Sequence, residues 1–217
     1  MADQPAEHEP SKVVSRLRLV RRISLVLCGL ILAAVVAFVA KERLSQTSGK
    51  GPTLPQVKIG GPFSLTDHDG RPVTEKDFQG KFLIVFFGYT FCPDVCPTTL
   101  ADVSAALDRL GPDAGKFQPL FITVDPARDT APRLKEYVGH FNPRIRGLTG
   151  TEAQIKEAAK AFRAYYVKAK ADGGGPNDYL MDHSSIVYVI GPEGGFKIHF
   201  SHGTDADTMA AKLKTLL

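Results

Sequence analysis

The stretch Phe82-Leu83-Ile84-Val85-Phe86-Phe87-Gly88-Tyr89-Thr90-Phe91-Cys92-Pro93-Asp94-Val95-Cys96-Pro97 decides the fold. Its first six residues form an unbroken apolar run, rich in β-branched and aromatic side chains and of strand length, and read as a buried strand. Residues 98–110 follow, with Leu100, Val103, Ala106, Leu107 and Leu110 at helical spacing. Cys92 and Cys96 thus stand at a strand-to-helix turn, where free backbone N–H groups and the helix dipole favour thiolate over thiol. Four-residue spacing on a helical turn puts both sulfurs on one face. Two close, readily ionised sulfurs form a disulfide or clamp a soft metal ion, and this stretch alone leaves both uses open.

Outward from it, the pattern alternates strands and helices. Phe63-Ser64-Leu65-Thr66 and Pro72-Val73-Thr74 flank Asp69-Gly70, a hairpin signal. Residues 119–124 are a second short buried strand, ending at Asp125-Pro126. A helix over 132–141 follows, with Asp129 or Thr130 as its cap. Thr151 and Gln154 form a capping-box pattern that opens a helix to about Phe162. Residues 171–177, with three consecutive glycines, read as a flexible loop. Residues 185–190 and 196–200 are strands around a Gly-Pro turn, and Thr204 caps a final amphipathic helix with Asp207 in its first turn. The sum is an α/β domain of three layers, in which functional groups gather beyond the carboxyl ends of strands. Cys92 and Asp125 both occupy such positions.

The 217 residues suit one domain plus an appendage. Residues 23–40 are an uncharged run of 18 apolar or small residues, long enough to span a bilayer, and read as a single uncleaved transmembrane helix. Lys12, Arg16, Arg18, Arg21 and Arg22 precede it while only Lys41 and Arg43 closely follow, so the positive-inside rule puts residues 1–22 in the cytoplasm. Asp3, Glu7 and Glu9 are unlike a mitochondrial transit peptide. The expected location is a bacterial inner membrane with the domain facing the periplasm; the alternative is the mitochondrial inner membrane facing the intermembrane space. Residues 41–60, polar and rich in Gly, Pro, Ser and Thr, read as a tether, and 61–217 as the domain. The net charge of +4 belongs to the anchor: residues 1–50 carry eight basic and four acidic side chains, leaving 19 of each sign downstream. A neutral domain has no basic footprint for nucleic acid. Cys28 lies within the span and reads as a small apolar residue, so Cys92 and Cys96 are the domain's only cysteines.

The segments Phe87-Gly88-Tyr89-Thr90 through Cys92-Pro93-Asp94-Val95-Cys96-Pro97, Val124-Asp125-Pro126-Ala127-Arg128-Asp129-Thr130 and Asp182-His183-Ser184-Ser185 together resemble the Sco/SenC family. The similarity runs from about Gly61 to Leu217. It implies a thioredoxin-like fold, a membrane anchor and a role in assembly of cytochrome c oxidase. It also implies one copper ion, Cu(I) or Cu(II), bound by Cys92, Cys96 and His183. That set is chemically sensible, since thiolates suit Cu(I) and imidazole supports both oxidation states. On its own residues His183 reads as a structural histidine directly before a strand; the resemblance makes it a ligand. Asp182 either orients that imidazole or caps a turn. Asp125, Arg128 and Asp129 form a charged network beside the site or, the preferred reading, cap the next helix. His199 and His202 read as strand and loop residues rather than ligands, and Tyr89 and Phe91 as walls of the site.

Two functions of different class follow. One is a copper metallochaperone that serves the binuclear copper site of cytochrome c oxidase subunit II and depends on a copper donor and a thiol reductant. The other is a thiol–disulfide oxidoreductase that uses Cys92 and Cys96, with a peroxiredoxin-type peroxidase as a weaker third reading. Thioredoxin-like reductases carry proline before the strand facing their cysteines, whereas this chain has His183-Ser184-Ser185 there and a lengthened Pro93-Asp94-Val95 spacer. Both features favour metal binding over enzymatic reduction.

Overall fold

A computed structural model describes residues 12–47, 58–170 and 178–217. The glycine-rich loop expected over 171–177 lies outside the described residues, as do residues 48–57 of the expected tether. The chain divides into two units, Met1–Gln56 and Val57–Leu217. The first contains α1 (Lys12–Thr47), which continues past the expected end of the apolar span. Among the described residues it is the one helix long and apolar enough to cross a membrane, with a mean hydropathy of 2.3 over Leu25–Glu42.

The second unit runs β1 (Ser64–Asp67), β2 (Pro72–Thr74), β3 (Phe82–Gly88), α2 (Val95–Leu110), β4 (Phe117–Thr123), α3 (Ala131–Val138) and β5 (Arg146–Thr149). It continues with α4 (Glu152–Phe162), β6 (Tyr166–Lys170), β7 (Tyr179–His183), β8 (Ile186–Ile190), β9 (Phe196–Ser201) and α5 (Ala206–Lys214). Seven strands form one sheet in the order β2-β1-β5-β4-β3-β8-β9, and β6 and β7 form a separate ribbon. β3, β4 and β5 are parallel, with Phe86 beside Phe121 and Phe121 beside Gly147. β8 runs antiparallel to β3 on its other side.

The central position of β3 explains its composition. A strand covered on both faces needs apolar side chains at every position rather than alternate ones. Phe87 turns to one face and packs its ring 5.5 Å from Phe162 of α4, with Tyr188 of β8 5.8 Å beyond. Phe86 turns to the other, 6.0 Å from Phe121, which meets Tyr137 of α3 at 5.5 Å. α2 lies on this second face, joined to α5 by an Arg109–Asp207 ion pair of 2.6 Å. Helices on both faces of the sheet give the three layers of a thioredoxin-like fold.

Several local expectations are corrected. α2 begins at Val95 rather than Thr98, so Cys96 lies inside its first turn, where Pro97 is tolerated because its missing N–H has no intrahelical partner to lose. α3 ends at Val138, not Phe141, and its cap is Thr130, whose hydroxyl accepts from Arg133 N. Asp129 is not a cap. α5 is capped by Asp205, which accepts from Thr208 N at 2.9 Å, while Thr204 instead donates to Ser201 O at 2.8 Å. β5, β6 and β7 carry no expectation from the sequence. β5 has four residues including Gly147, and the five-residue ribbon strands carry Lys168 and Lys170 in β6 and Asp182 in β7.

Phe87→Ala should therefore lower stability by about 3–5 kcal/mol, the usual cost of a phenylalanine-sized cavity in a closed core. Urea unfolding followed by circular dichroism measures it, and a loss below about 1 kcal/mol would contradict this packing.

Candidate metal centre

β3 ends at Gly88, and three residues, Tyr89, Thr90 and Phe91, then lead to Cys92 at the entrance to α2. The loop is held from beneath by Asp129, which is fully buried. Its carboxylate accepts from Thr90 N at 3.0 Å, Thr90 Oγ1 at 2.7 Å and Thr123 Oγ1 at 2.6 Å. Burial pushes the Asp129 carboxyl up from its ordinary range, and the hydrogen bonds from Thr123 and Thr90 oppose that push. Expected as a cap, Asp129 instead joins the cysteine loop to the end of β4.

Cys96 is fully buried. A Cβ at Gly88 would lie 2.7 Å from its Sγ and 2.7 Å from the Phe121 ring. Only a residue without a side chain lets the first turn of α2 sit this close to the strand end. Cys92, half-buried, lies at the open side of the site, and neither cysteine is in a disulfide.

His183 arrives from elsewhere. It is the last residue of β7, paired across the ribbon with Tyr166, and not a loop residue before the sheet as the sequence implies. Its Nε2 is 3.5 Å from Cys96 Sγ, and its Nδ1 is 3.2 Å from Ser184 O. The tautomer that donates Nδ1–H to that carbonyl leaves the Nε2 lone pair directed toward the sulfurs. The ring is wedged edge-on between Tyr89 at 5.8 Å and Phe86 at 6.1 Å. Tyr89 is thus a wall of the site. Asp182 does not orient the imidazole: it is exposed, and strand alternation turns it to the opposite face, so Ser184 O takes that part.

One sulfur from Cys92, one from Cys96 and one ring nitrogen of His183 all lie within 4.8 Å of one another, the one such group of potential metal donors among the described residues. His199 and His202 do not join it; both are exposed, and His199 stacks on Phe196 at 6.2 Å. A hydrogen bond from Cys96 holds the Cys92 thiol well below its ordinary pKa, helped by His183 and the backbone against a smaller opposing effect of burial. The same hydrogen bond, with burial, pushes Cys96 up. The metal-free pair is therefore an exposed-side thiolate hydrogen-bonded to a buried thiol. Both would be thiolates if a soft cation took the place of the shared proton.

Beside the site stands a second cluster. Arg128 forms an ion pair with buried Asp125 and donates Nη1–H to Tyr179 O at 3.1 Å. The Tyr179 hydroxyl donates to Asp125 at 2.8 Å. The Arg128 guanidinium lies 3.6 Å from the Tyr179 ring centroid and 4.6 Å from that of Phe91. The preferred reading of Asp125 and Arg128 as helix caps thus gives way to a network beside the site. Phe91, expected as a wall, has about half its surface exposed and carries Arg128 on its ring. Gly88, Thr90, Thr123, Tyr179 and Ser184 all support the site and were not singled out individually. A glycine closing an apolar strand before two cysteines was the one signal available in the sequence.

The SCO1/SenC family profile matches residues 51–217. The chain is 42% identical over 161 residues to "Protein SCO1 homolog 1, mitochondrial" of Arabidopsis thaliana, covering 74% of this chain and 47% of that protein. It spans about half the length of the curated relatives it matches. A copper-bound structure of Arabidopsis thaliana ScoI superposes with a TM-score of 0.67 at 42% identity, over 72% of this chain and 96% of that one. Copper-bound ScoI of Bradyrhizobium japonicum gives 0.67 at 43% identity, over 73% and 99%.

Alkylation tests the electrostatics of the pair. Reaction rate follows the thiolate fraction, and an ordinary thiol, with a pKa of about 8.5, loses about tenfold in rate per pH unit below that. With its pKa lowered, Cys92 of the reduced, metal-free protein should keep nearly the same iodoacetamide rate from about pH 8 down to about pH 5.5. Cys96 should stay unmodified, as peptide mass mapping will show. A tenfold fall per unit at Cys92, or label on Cys96 first, contradicts the assignment.

Proposed function

The chain belongs to the SCO1/SenC family, and from that membership we propose that it is a membrane-anchored copper metallochaperone. It binds one copper ion through Cys92, Cys96 and His183 and delivers it to the binuclear copper site of cytochrome c oxidase subunit II. The observation that carries this reading is the meeting of two sulfurs and one imidazole within 4.8 Å. Thiolates favour Cu(I), and the imidazole lets the same site hold Cu(II). Three protein donors leave room for an incoming donor, which a carrier needs and a permanent structural site does not.

Burial supports an order of release. Cys96, enclosed by Gly88 and Phe121, is the retained anchor, while half-buried Cys92 is the ligand that an acceptor's donor displaces. Loading requires both sulfurs reduced, hence a thiol reductant as well as a copper donor. In this reading residues 1–22 are cytoplasmic, 23–40 anchor the chain, 41–60 tether it, and the domain over 61–217 faces the periplasm of a bacterial inner membrane. The thiolate–thiol asymmetry also favours a second reading, a thiol–disulfide reductase acting on the oxidase cysteines.

Copper titration of the reduced chain in detergent should give one ion per chain. Cys92→Ser or Cys96→Ser should abolish tight binding, and so should oxidation of the pair to a disulfide, whose sulfurs are poor ligands. His183→Ala should weaken Cu(II) much more than Cu(I), since two thiolates still suit Cu(I). A His183→Ala chain that holds both states like wild type would remove His183 from the ligand set. In cells, full oxidase activity with His183→Ala at low external copper would favour the reductase, which needs only the dithiol.

A further inference from the structure

We propose that Arg128 is a positioning residue: it clamps the His183-bearing ribbon to the cysteine loop and so sets how well the imidazole reaches the metal. This rests on the copper reading above. The ribbon β6–β7 shares no ladder with the seven-stranded sheet among the described residues. Backbone ties His183 to the sheet through the two-residue link Ser184-Ser185 to β8, and no ladder among the described residues fixes how closely it approaches the cysteines. Side chains must do it, and those in place are unequal. The Tyr89 hydroxyl meets the Met181 backbone, and the Tyr89 and Phe86 rings meet the imidazole edge-on. Arg128 reaches three different segments: Tyr179 of β7, Tyr89 and Phe91 of the cysteine loop, and Asp125.

Its guanidinium lies between the rings of Tyr179, at 3.6 Å, and Phe91, at 4.6 Å. Tyr179 opens β7, the strand that ends in His183, and Phe91 immediately precedes Cys92. On the outer side of Tyr179, Lys168 Nζ of β6 lies 3.5 Å from the ring centroid. Phe91, Arg128, Tyr179 and Lys168 thus form one ladder of alternating rings and cations from the cysteine loop to both ribbon strands. The same guanidinium donates to Tyr179 O at 3.1 Å and pairs with Asp125, which in turn accepts from the Tyr179 hydroxyl at 2.8 Å. Ring, carbonyl and hydroxyl of one residue are all engaged. Only 15% of the Arg128 side chain is exposed, so its cation–ring contacts are little weakened by water.

The cysteines do not depend on this clamp. Cys96 is seated by Gly88, and the Cys92 loop is held by Asp129 through Thr90. Loosening Arg128 therefore frees the imidazole and leaves the dithiol in place. A lysine keeps the charge beside Asp125 but lacks the planar group that stacks on two rings while donating in fixed directions.

The test is a mutant cycle on the full reduced chain in detergent, with Cu(I) and Cu(II) affinities measured by competition titration. Arg128→Lys should weaken Cu(II) by roughly 10- to 100-fold, the usual effect of losing a group that orients a ligand, and Cu(I) by less than about threefold. In the His183→Ala background Arg128→Lys should cost nothing further, because there is no imidazole left to place. The nitrogen hyperfine structure of the Cu(II) resonance should weaken in the single variant. A purely stabilising role would lower the melting temperature without moving the ratio of the two affinities. Unchanged Cu(II) binding in folded Arg128→Lys, or losses that multiply in the double variant, would overturn the positioning role. Unchanged Cu(II) binding in His183→Ala would instead overturn the ligand reading beneath it. Arg128→Gln serves as a harsher second variant; if it unfolds, Arg128→Lys alone decides.

Discussion

The site depends first on a side chain that is not there. Because residue 88 is glycine, Cys96 Sγ approaches the end of β3 where a Cβ would stand at 2.7 Å. That contact seats the first turn of α2 on the central strand, encloses one sulfur completely, and leaves Cys92 on the open side, in the loop three residues before α2 begins. β3 is held in register by β4 on one side and β8 on the other, so the reference point for the whole site is a central strand paired along both edges.

From this fixed point the remaining groups are added with decreasing rigidity. Asp129 ties the cysteine loop to β4 through three buried hydrogen bonds. His183 comes last, on a ribbon outside the main sheet, oriented by Ser184 O and held by aromatic edges. A gradient of this kind suits a carrier better than a permanent metal site. In the carrier proposed above, a buried sulfur would retain the cargo, a half-buried sulfur would exchange it, and an imidazole on a separable element would adjust the preference between oxidation states.

What was legible in the sequence was the part governed by local pattern. The apolar run 82–87, the helical spacing after the cysteines, the Asp69-Gly70 hairpin and the Thr151 capping box all correspond to structure because each is specified by neighbouring residues. What was not legible depends on distant partners. β6, with two lysines, and β7, ending in Asp182-His183, have only five residues each, and pair with each other rather than with the sheet, so neither stands out. Asp125, Arg128 and Asp129 have the composition of helix caps, yet Thr130 supplies the cap and burial draws the two aspartates and the arginine into contacts with Thr90, Tyr179 and Phe91. His183 became a candidate only by resemblance, since its 87-residue separation from Cys96 is closed by folding alone.

The central claim is that two sulfurs and one imidazole nitrogen share one ion. X-ray absorption of the reduced chain loaded with one equivalent of Cu(I), recorded for wild type and His183→Ala, tests it most directly. The account predicts two sulfur neighbours and one nitrogen neighbour per copper in wild type, with the nitrogen lost and both sulfurs kept in the variant. A sulfur-only shell in wild type, or one sulfur with light-atom neighbours, would contradict it.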